Sequence, residues 1–170
     1  MSYKKSNIEK TLEKIKTYDE TKEIFRLAKI HKKRTVLTNG CFDLIHFAHI
    51  FNLQESKELG QMLIVFVNSD ASVREYKGPT RPIIGEKERC YTLAAFECVD
   101  VVSIFTEPDL KQVLRDMKPD VWTKGADYNL YTINQEERAI AENVGTKIEI
   151  VDNLSLQTIS TSKLIERSLK

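Results

Sequence analysis

The sequence has few cysteines and almost no excess charge, and each scarcity argues against a class of protein. Its three cysteines, Cys41, Cys90 and Cys98, are odd in number and lack C-x-x-C spacing, which argues against both a disulfide framework and a structural zinc site. The 26 basic and 25 acidic residues leave a formal net charge of +1, so no overall field favours nucleic acid or an acidic membrane. Any charge that binds phosphate must therefore be local.

Long apolar runs and repeats are lacking as well. The first five residues lead into charged sequence without an apolar core of signal-peptide length, and no later run approaches the length of a membrane span. No internal repeat or low-complexity segment is visible. A length of 170 residues predicts a single domain and is enough to bury a core. Together with the unpaired cysteines, the sequence predicts a protein of the reducing cytoplasm.

Short apolar runs alternate with amphipathic segments from about residue 34 onwards. The expected strands are 34–38, 62–68, 101–105, 120–123 and 147–151, and the expected helices are 46–59, 86–97, 109–117, 134–143 and 161–169. Gly60 and Gly145 fall where helix ends favour a left-handed residue. Strands separated by such helices predict an α/β fold with a doubly wound parallel sheet, in which ligands bind beyond the carboxyl ends of the strands.

The first 33 residues differ from the rest in composition. They are rich in Lys and Glu, and their apolar residues recur at helical spacing. The pattern predicts one or two amphipathic helices, the second beginning after Asp19 as its N-cap. The expected organisation is therefore an N-terminal helical extension over residues 1–33 and a main domain over residues 34–170.

The most distinctive segment, TNGCFDLIHFAH at residues 38–49, is a polar turn that leads into an amphipathic helix. The spacing of three between His46 and His49 places both imidazoles on one face of the helix. The helix N-terminus adds free backbone N–H groups, and Gly40 permits a close approach of the backbone to phosphate. The plainer interpretation is that one histidine caps the helix and the other packs in the core.

This segment resembles the signature of the nucleotidyltransferase superfamily, in which the histidine motif reads His-x-Gly-His. Further matching segments follow in the order of that superfamily: VNSDASV at 67–73, KGPTRPI at 77–83, VDVV at 99–102, PDV at 119–121, KGADY at 124–128 and ISTSK at 159–163. Within the superfamily, the resemblance is strongest to the adenylyltransferase domains of ADP-heptose synthases. It implies a Rossmann-like fold, a homodimer, and transfer of AMP from ATP to a sugar 1-phosphate.

The implied reaction is an in-line attack by a phosphate oxygen of the acceptor on the α-phosphorus of the nucleotide, with loss of pyrophosphate. Because the nucleophile is already an anion, the site must hold two anions together and neutralise charge on the oxygens. The resemblance assigns this role to His46, His49 and Lys77. Mg²⁺ is expected to accompany the triphosphate, with phosphate oxygens as most of its ligands.

The resemblance also implies two sets of binding residues. The expected nucleotide-binding residues are Thr38, Asn39, Gly40, Cys41, Phe42, Asp43, Ala48, Lys124, Gly125, Asp127, Ser160, Thr161 and Ser162. The expected substrate-binding residues are Asn68, Asp70, Ser72 and Arg81. For several of these a structural role is the alternative: the Cys41 thiol as a packing group, Asp70 as a helix cap, the Lys77–Arg81 loop as a solvated basic loop, and Lys124 with Asp127 as a surface pair.

Two departures from the superfamily pattern leave alternatives open. Ala48 stands where the motif has glycine, and its methyl group is expected to lie near the nucleotide and to reduce or alter nucleotide binding. The alternative is that Ala48 marks a non-catalytic, nucleotide-binding regulator. Residues 156–158, LQT, stand where cytidylyltransferases carry Arg-Thr-Glu-Gly, which weakens the alternative of a CTP-dependent enzyme acting on glycerol 3-phosphate. The sugar kinase that is often fused to such domains is expected to be a separate protein.

Overall fold

In a computed structural model, which describes residues 6–151, parallel strands form one sheet between two layers of helices. The strands are β1 (Ile15–Lys16), β2 (Thr35–Gly40), β3 (Met62–Asn68), β4 (Val101–Phe105), β5 (Val121–Gly125) and β6 (Lys147–Val151). The helices are α1 (Asn7–Glu13), α2 (Tyr18–Ile30), α3 (Phe47–Glu58), α4 (Asp70–Lys77), α5 (Glu86–Ala94), α6 (Lys111–Met117) and α7 (Gln135–Asn143). The predicted α/β, Rossmann-like fold is confirmed. None of the helices in residues 6–151 is long and apolar enough to cross a membrane.

The strand order creates a crevice in the middle of the sheet. The order is β1-β4-β3-β2-β5-β6, and every pairing within it is parallel. The chain winds outward from β2 through β3 to β4, and then crosses back to β5 and β6 on the other side of β2. The winding therefore reverses between β2 and β5, and the loops that follow these strands diverge and leave space for a ligand.

Both faces of the sheet are buried, which explains the continuous apolar runs of its strands. Along β3, Leu63, Val65 and Val67 belong to one core, which they share with residues of α3 and α5. Ile64 and Phe66 belong to the opposite core, with residues of α2, α6 and α7. The alternation follows from the period of two in a strand. Helix α3, which follows the loop after β2 (residues 41–46, the β2 loop), packs on the first of these two faces.

The N-terminal segment takes part in the sheet, which its composition did not predict. Between α1 and α2, β1 pairs with β4 at the sheet edge, with Ile15 opposite Val102. A strand of two residues is too short to show an alternating pattern. The N-cap of α2 is Thr17, whose hydroxyl accepts a hydrogen bond from the backbone N–H of Glu20. The prediction of Asp19 at this cap was wrong, because Thr17 and Glu20 form a capping box.

The two glycines at helix ends have different roles. Gly145 has a φ of +82°, so the predicted left-handed residue is confirmed there. Gly60 is not left-handed; a Cβ at this position would lie 2.7 Å from Cγ2 of Val36 and 2.8 Å from the carbonyl oxygen of Arg34. Gly60 therefore allows the end of α3 to pass close to β2. The predicted helix 161–169 lies outside the described residues.

A single buried guanidinium group joins the segments that surround the crevice. Arg89 of α5 is 1% exposed. Its Nη1 donates to the carbonyl oxygen of Cys41 in the β2 loop, and its Nη2 donates to the carbonyl oxygen of Asn68 at the end of β3 and to Oδ1 of Asp70, both at 2.8 Å. Its Nε donates to the carbonyl oxygen of Ile84 at 3.0 Å. These bonds connect the ends of two strands to the loop before α5.

We expect the substitution Arg89→Met to lower the free energy of unfolding by about 3–5 kcal/mol, because it leaves buried carbonyl groups and a carboxylate without their donor. Urea denaturation measures the loss as a lower midpoint at an unchanged slope. Arg26→Met, at an exposed arginine that pairs with Glu23, is the matched control and should change the midpoint far less. Equal effects of the two substitutions would contradict the proposed role of Arg89.

Candidate active site

A cavity of about 210 Å³ opens at the carboxyl ends of β2 and β5, where the winding of the sheet reverses. The β2 loop, the inner face of α3, the end of α4 and the turn after β5 form its walls. The residues that line it are Thr38, Asn39, Gly40, Cys41, Phe42, Asp43, His49, Asn52, Leu53, Ser56, Asn68, Lys77, Thr123, Lys124, Gly125, Asp127 and Tyr128. Most of the residues that the sequence predicts for the site are therefore brought together.

His49 faces this cavity from the first turn of α3. Its Nδ1 lies 3.3 Å from the backbone nitrogen of His46 and accepts that N–H. An imidazole whose Nδ1 is an acceptor carries its proton on Nε2, so Nε2 is the donor of the neutral ring. Burial, together with the charges of His46 and Lys77, lowers the pKa of His49 from 6.5 to about 4. At neutral pH the ring is an uncharged donor.

His46 lies beside His49 but does not line the cavity. It is the N-cap residue of α3, and the centres of the two imidazole rings are 4.0 Å apart. Burial lowers the pKa of His46, and its Nδ1 is buried without a hydrogen-bond partner among residues 6–151. The expectation that the two imidazoles lie on one face is confirmed, whereas only His49 reaches the cavity wall.

Two lysines supply the positive charge of the cavity. Lys77 is the last residue of α4, and its charge is one of the causes of the low pKa of His49. The Nζ of Lys124 lies 4.9 Å from the ring centre of Trp122 and 5.0 Å from that of Tyr128. Burial lowers the pKa of Lys124. An ammonium group held between two aromatic rings at a cavity wall is well placed to bind an anion.

Arg81 lies outside this wall, although the sequence predicts it as a substrate-binding residue. Its guanidinium group pairs with the buried carboxylate of Asp43, and the Nε–Oδ2 distance is 2.6 Å. The other carboxylate oxygen accepts the backbone N–H groups of Ile83 and Ile84 at 2.8 and 3.0 Å. Asp43 therefore fastens the loop after α4 to the β2 loop, and of the two cations predicted on this loop Lys77 alone lines the cavity.

Two further predicted substrate-binding residues, Asp70 and Ser72, also lie outside the cavity lining. Asp70 pairs with Arg89 at 2.8 Å, and the Ser72 hydroxyl accepts a hydrogen bond from the side chain of Asn68 at 3.3 Å. The N-cap of α4 is Ser69 and not Asp70. Asn68 is the one member of the group that ends a strand and lines the cavity.

The remaining predicted residues are placed as follows. Ala48 is half-buried and is not among the described residues that line the cavity, and the expected proximity of its methyl group to the nucleotide stays a prediction. The thiol of Cys41 contacts the hydroxyl of Tyr76, in keeping with a packing role. Ser160, Thr161 and Ser162 lie outside the described residues.

Residues of α3 that the sequence analysis did not single out complete the cavity. Asn52, Leu53 and Ser56 line it, and the Ser56 hydroxyl lies 2.8 Å from that of Thr123 on β5. These three residues follow His49 at intervals of three, four and seven, which is the spacing of one helix face. Projecting that face from His49 along the predicted helix would have identified them.

Comparisons with known proteins agree with this geometry. The cytidylyltransferase-like family matches residues 37–167. The chain is 42% identical over 154 residues to the bifunctional protein HldE of Geotalea uraniireducens and 41% identical over 166 residues to that of Campylobacter jejuni, which cover 91% and 98% of this chain. It spans about a third of the length of these relatives, 31% and 33%. A lipopolysaccharide core biosynthesis protein from Thermoplasma volcanium shares the fold with a TM-score of 0.59 and 30% identity, over 71% of this chain and 95% of that one.

We expect ¹⁵N NMR to show His49 as the neutral Nε2–H tautomer down to about pH 5, since its pKa is about 4 in the folded protein. The unfolded chain takes up this proton near pH 6.5, so it binds more protons than the folded chain between these values. The contribution of His49 to stability is therefore complete above pH 6.5 and is lost as the pH falls toward 4. Titration of His49 near pH 6.5 would contradict the buried, neutral assignment.

Proposed function

We propose that this chain, which belongs to the cytidylyltransferase-like family of nucleotidyltransferases, transfers AMP from ATP to a sugar 1-phosphate and releases pyrophosphate. The proposed acceptor is D-glycero-β-D-manno-heptose 1-phosphate and the proposed product is ADP-heptose. The observation that carries the reaction class is that His49, whose Nδ1 accepts the backbone N–H of His46, lines one cavity with Lys77 and Lys124. The choice of acceptor is supported by the resemblance to ADP-heptose synthases and by the name of the structural relative.

The cavity supplies what an in-line transfer between two anions requires. Lys77 and Lys124 attract the phosphate groups of both substrates and offset their mutual repulsion. The Nε2–H of His49 donates to an oxygen on which negative charge grows as the bond to the α-phosphorus changes. Because the pKa of His49 is lowered to about 4, the ring does not take up a second proton near neutral pH and acts as an uncharged donor through Nε2–H. No covalent intermediate is required, since the acceptor phosphate is itself the nucleophile.

The described residues are compatible with a magnesium ion that arrives with the nucleotide. Within residues 6–151, no group of three or more His, Cys, Asp or Glu side chains could hold a metal ion. The ion would therefore be held mainly by oxygens of the triphosphate, which Mg²⁺ prefers. When bound, it neutralises part of the charge on those oxygens, in addition to the two lysines.

A pyrophosphate-release screen tests the proposal directly. The full chain is incubated with Mg²⁺ and each of ATP, CTP, GTP and UTP, against heptose 1-phosphate, mannose 1-phosphate and glycerol 3-phosphate. The proposal predicts the highest kcat/KM for ATP with the heptose phosphate. Nucleotide binding without turnover in any combination would overturn the proposed enzymatic activity. It would favour the alternative of a non-catalytic, nucleotide-binding regulator.

The second candidate is transfer of CMP from CTP to glycerol 3-phosphate or a similar phospho-alcohol. The description of the matched family, cytidylyltransferase-like, favours it. The segment LQT at residues 156–158, in place of Arg-Thr-Glu-Gly, argues against it. In the screen it corresponds to a preference for CTP with glycerol 3-phosphate.

We expect His49→Ala to lower kcat on the order of a hundredfold, with a smaller change in the KM for ATP, because a donor that acts on growing charge stabilises the transition state more than the ground state. His46→Ala should cost less than His49→Ala, since His46 lies outside the cavity lining and the backbone N–H that it offers to His49 remains. His31→Ala, at an exposed imidazole on the C-cap of α2, is the control. Near-normal kcat in His49→Ala would exclude this mechanism.

The two lysines should each contribute to nucleotide binding. Charge-assisted hydrogen bonds contribute about 1.5–3 kcal/mol, so Lys77→Met and Lys124→Met should each weaken ATP binding by about ten- to a hundredfold in calorimetric titration. Lys87→Met, at an exposed lysine of α5, is the matched control. An unchanged Kd in both cavity variants would show that the phosphates bind elsewhere.

A further inference from the structure

The side-chain carboxamide of Asn52 lines the cavity, and the reaction proposed above gives this group no role. Asn52 follows His49 by three residues on the inner face of α3 and lines the same cavity. Its Oδ1 is fully buried and has no hydrogen-bond partner among residues 6–151. A buried carbonyl oxygen without a donor is costly, and nearly all such groups in folded proteins have a partner. This oxygen therefore requires a donor that the described residues do not supply.

The hydroxyl groups of Thr38, Ser56 and Thr123 in the cavity wall bond to one another or to the backbone. The Ser56 hydroxyl lies 2.8 Å from that of Thr123. The Thr38 hydroxyl donates to the carbonyl oxygen of Thr123 at 3.3 Å. Because these hydroxyl groups bond to each other and to the backbone, they do not supply the donor that the carboxamide oxygen of Asn52 lacks.

Gly125 makes room for this carboxamide. A Cβ at position 125 would lie 2.7 Å from Nδ2 of Asn52 and 2.9 Å from Oδ1 of Asp127. The side chains of Asn52 and Asp127 therefore border the space into which any other side chain at position 125, the end of β5, would project. Glycine at position 125 therefore leaves room for two polar side chains in the cavity wall.

The positive charge of the cavity limits which ligand group can bind to the side-chain oxygen of Asn52. Phosphate oxygens are acceptors, so they bind to Lys77, Lys124 and the Nε2–H of His49, whereas the oxygen of Asn52 can only accept. An uncharged N–H or O–H group is its natural partner. The exocyclic amino group of the nucleobase, a ribose hydroxyl of the nucleotide and a hydroxyl group of the sugar phosphate are the sources of such a donor in the proposed reaction.

We propose that Asn52 determines substrate specificity by accepting a hydrogen bond from an uncharged N–H or O–H group of the substrate beside Gly125. This inference rests on the proposed function, because it assigns a part of the same cavity. A substrate that lacks the donor leaves the oxygen unsatisfied and is discriminated against, as expected for a buried polar group in a binding site.

The test compares wild type with Asn52→Leu, which has a similar volume but no acceptor, and with Gly125→Ala, which displaces the carboxamide without changing it. Gln54→Leu, at an exposed amide of the same helix, is the matched control. Calorimetry gives the Kd for ATP, for purine riboside triphosphate, which lacks the exocyclic amino group, and for inorganic pyrophosphate. Steady-state kinetics give the KM for heptose 1-phosphate.

The loss of one such bond corresponds to an effect of about three- to tenfold. If the donor is the nucleobase, Asn52→Leu and Gly125→Ala weaken ATP binding by this factor and leave purine riboside triphosphate and pyrophosphate unchanged. If the donor is a ribose hydroxyl, both nucleotides bind more weakly by this factor and pyrophosphate is unchanged. If the donor is the acceptor sugar, the KM for heptose 1-phosphate rises and the three Kd values stay constant. Equal weakening of every ligand, or no change in any, overturns the role of Asn52. Absence of turnover in wild type with intact nucleotide binding refutes the proposed reaction instead, while the nucleotide Kd values still test Asn52.

Discussion

The cavity walls are fixed in relation to one another by the buried guanidinium group of Arg89. Burying a charge is costly unless it is paired and hydrogen-bonded, and here three backbone carbonyl groups and one carboxylate surround it. Two of these carbonyl groups belong to Cys41 and Asn68, which line the cavity. The position of the β2 loop relative to the end of β3 therefore depends on a side chain that comes from behind the site, on α5. Catalytic geometry depends on such support, since small displacements of positioned groups reduce rates strongly.

Electrostatic pairing within the fold decides which charges remain for a ligand. The chain has a formal net charge of +1, so attraction for phosphate depends on where individual charges are satisfied. Arg81 and Arg89 are neutralised by Asp43 and Asp70 in structural pairs. Lys77 and Lys124 line the cavity, and Lys124 is held by aromatic rings. Arg81 and Arg89 therefore have structural roles, whereas Lys77 and Lys124 remain available to a ligand. The sequence alone does not show which basic residues are paired in this way.

The parts of the molecule that the sequence predicts well are those determined by local pattern. Strands β3 and β6 agree with the predicted ranges residue for residue, because an apolar run that is buried on both faces, or bounded by turn residues, has an unambiguous length. The histidine pair and the Lys124–Asp127 turn were found because each follows a strand at a recognisable motif. Several features that sequence reasoning missed depend on distant partners: β1 is defined only by its pairing with β4, Gly60 by the proximity of Arg34 and Val36, and Arg81 by the carboxylate of Asp43.

Helix α3 connects the proposed chemistry with the proposed specificity. His49, Asn52 and Ser56 follow one another along the face of α3 that lines the cavity, and the Ser56 hydroxyl contacts that of Thr123 on β5. A rigid helix keeps their spacing constant, so a ligand group bound to Asn52 lies at a fixed distance from the His49 donor. Binding energy from a remote part of the substrate is then used where charge develops, which is how a correct substrate gains in kcat as well as in affinity. Two close approaches hold this spacing: the end of α3 lies near β2 at Gly60, and Asn52 of α3 lies near β5 at Gly125. The helix therefore has little freedom to shift without its neighbours.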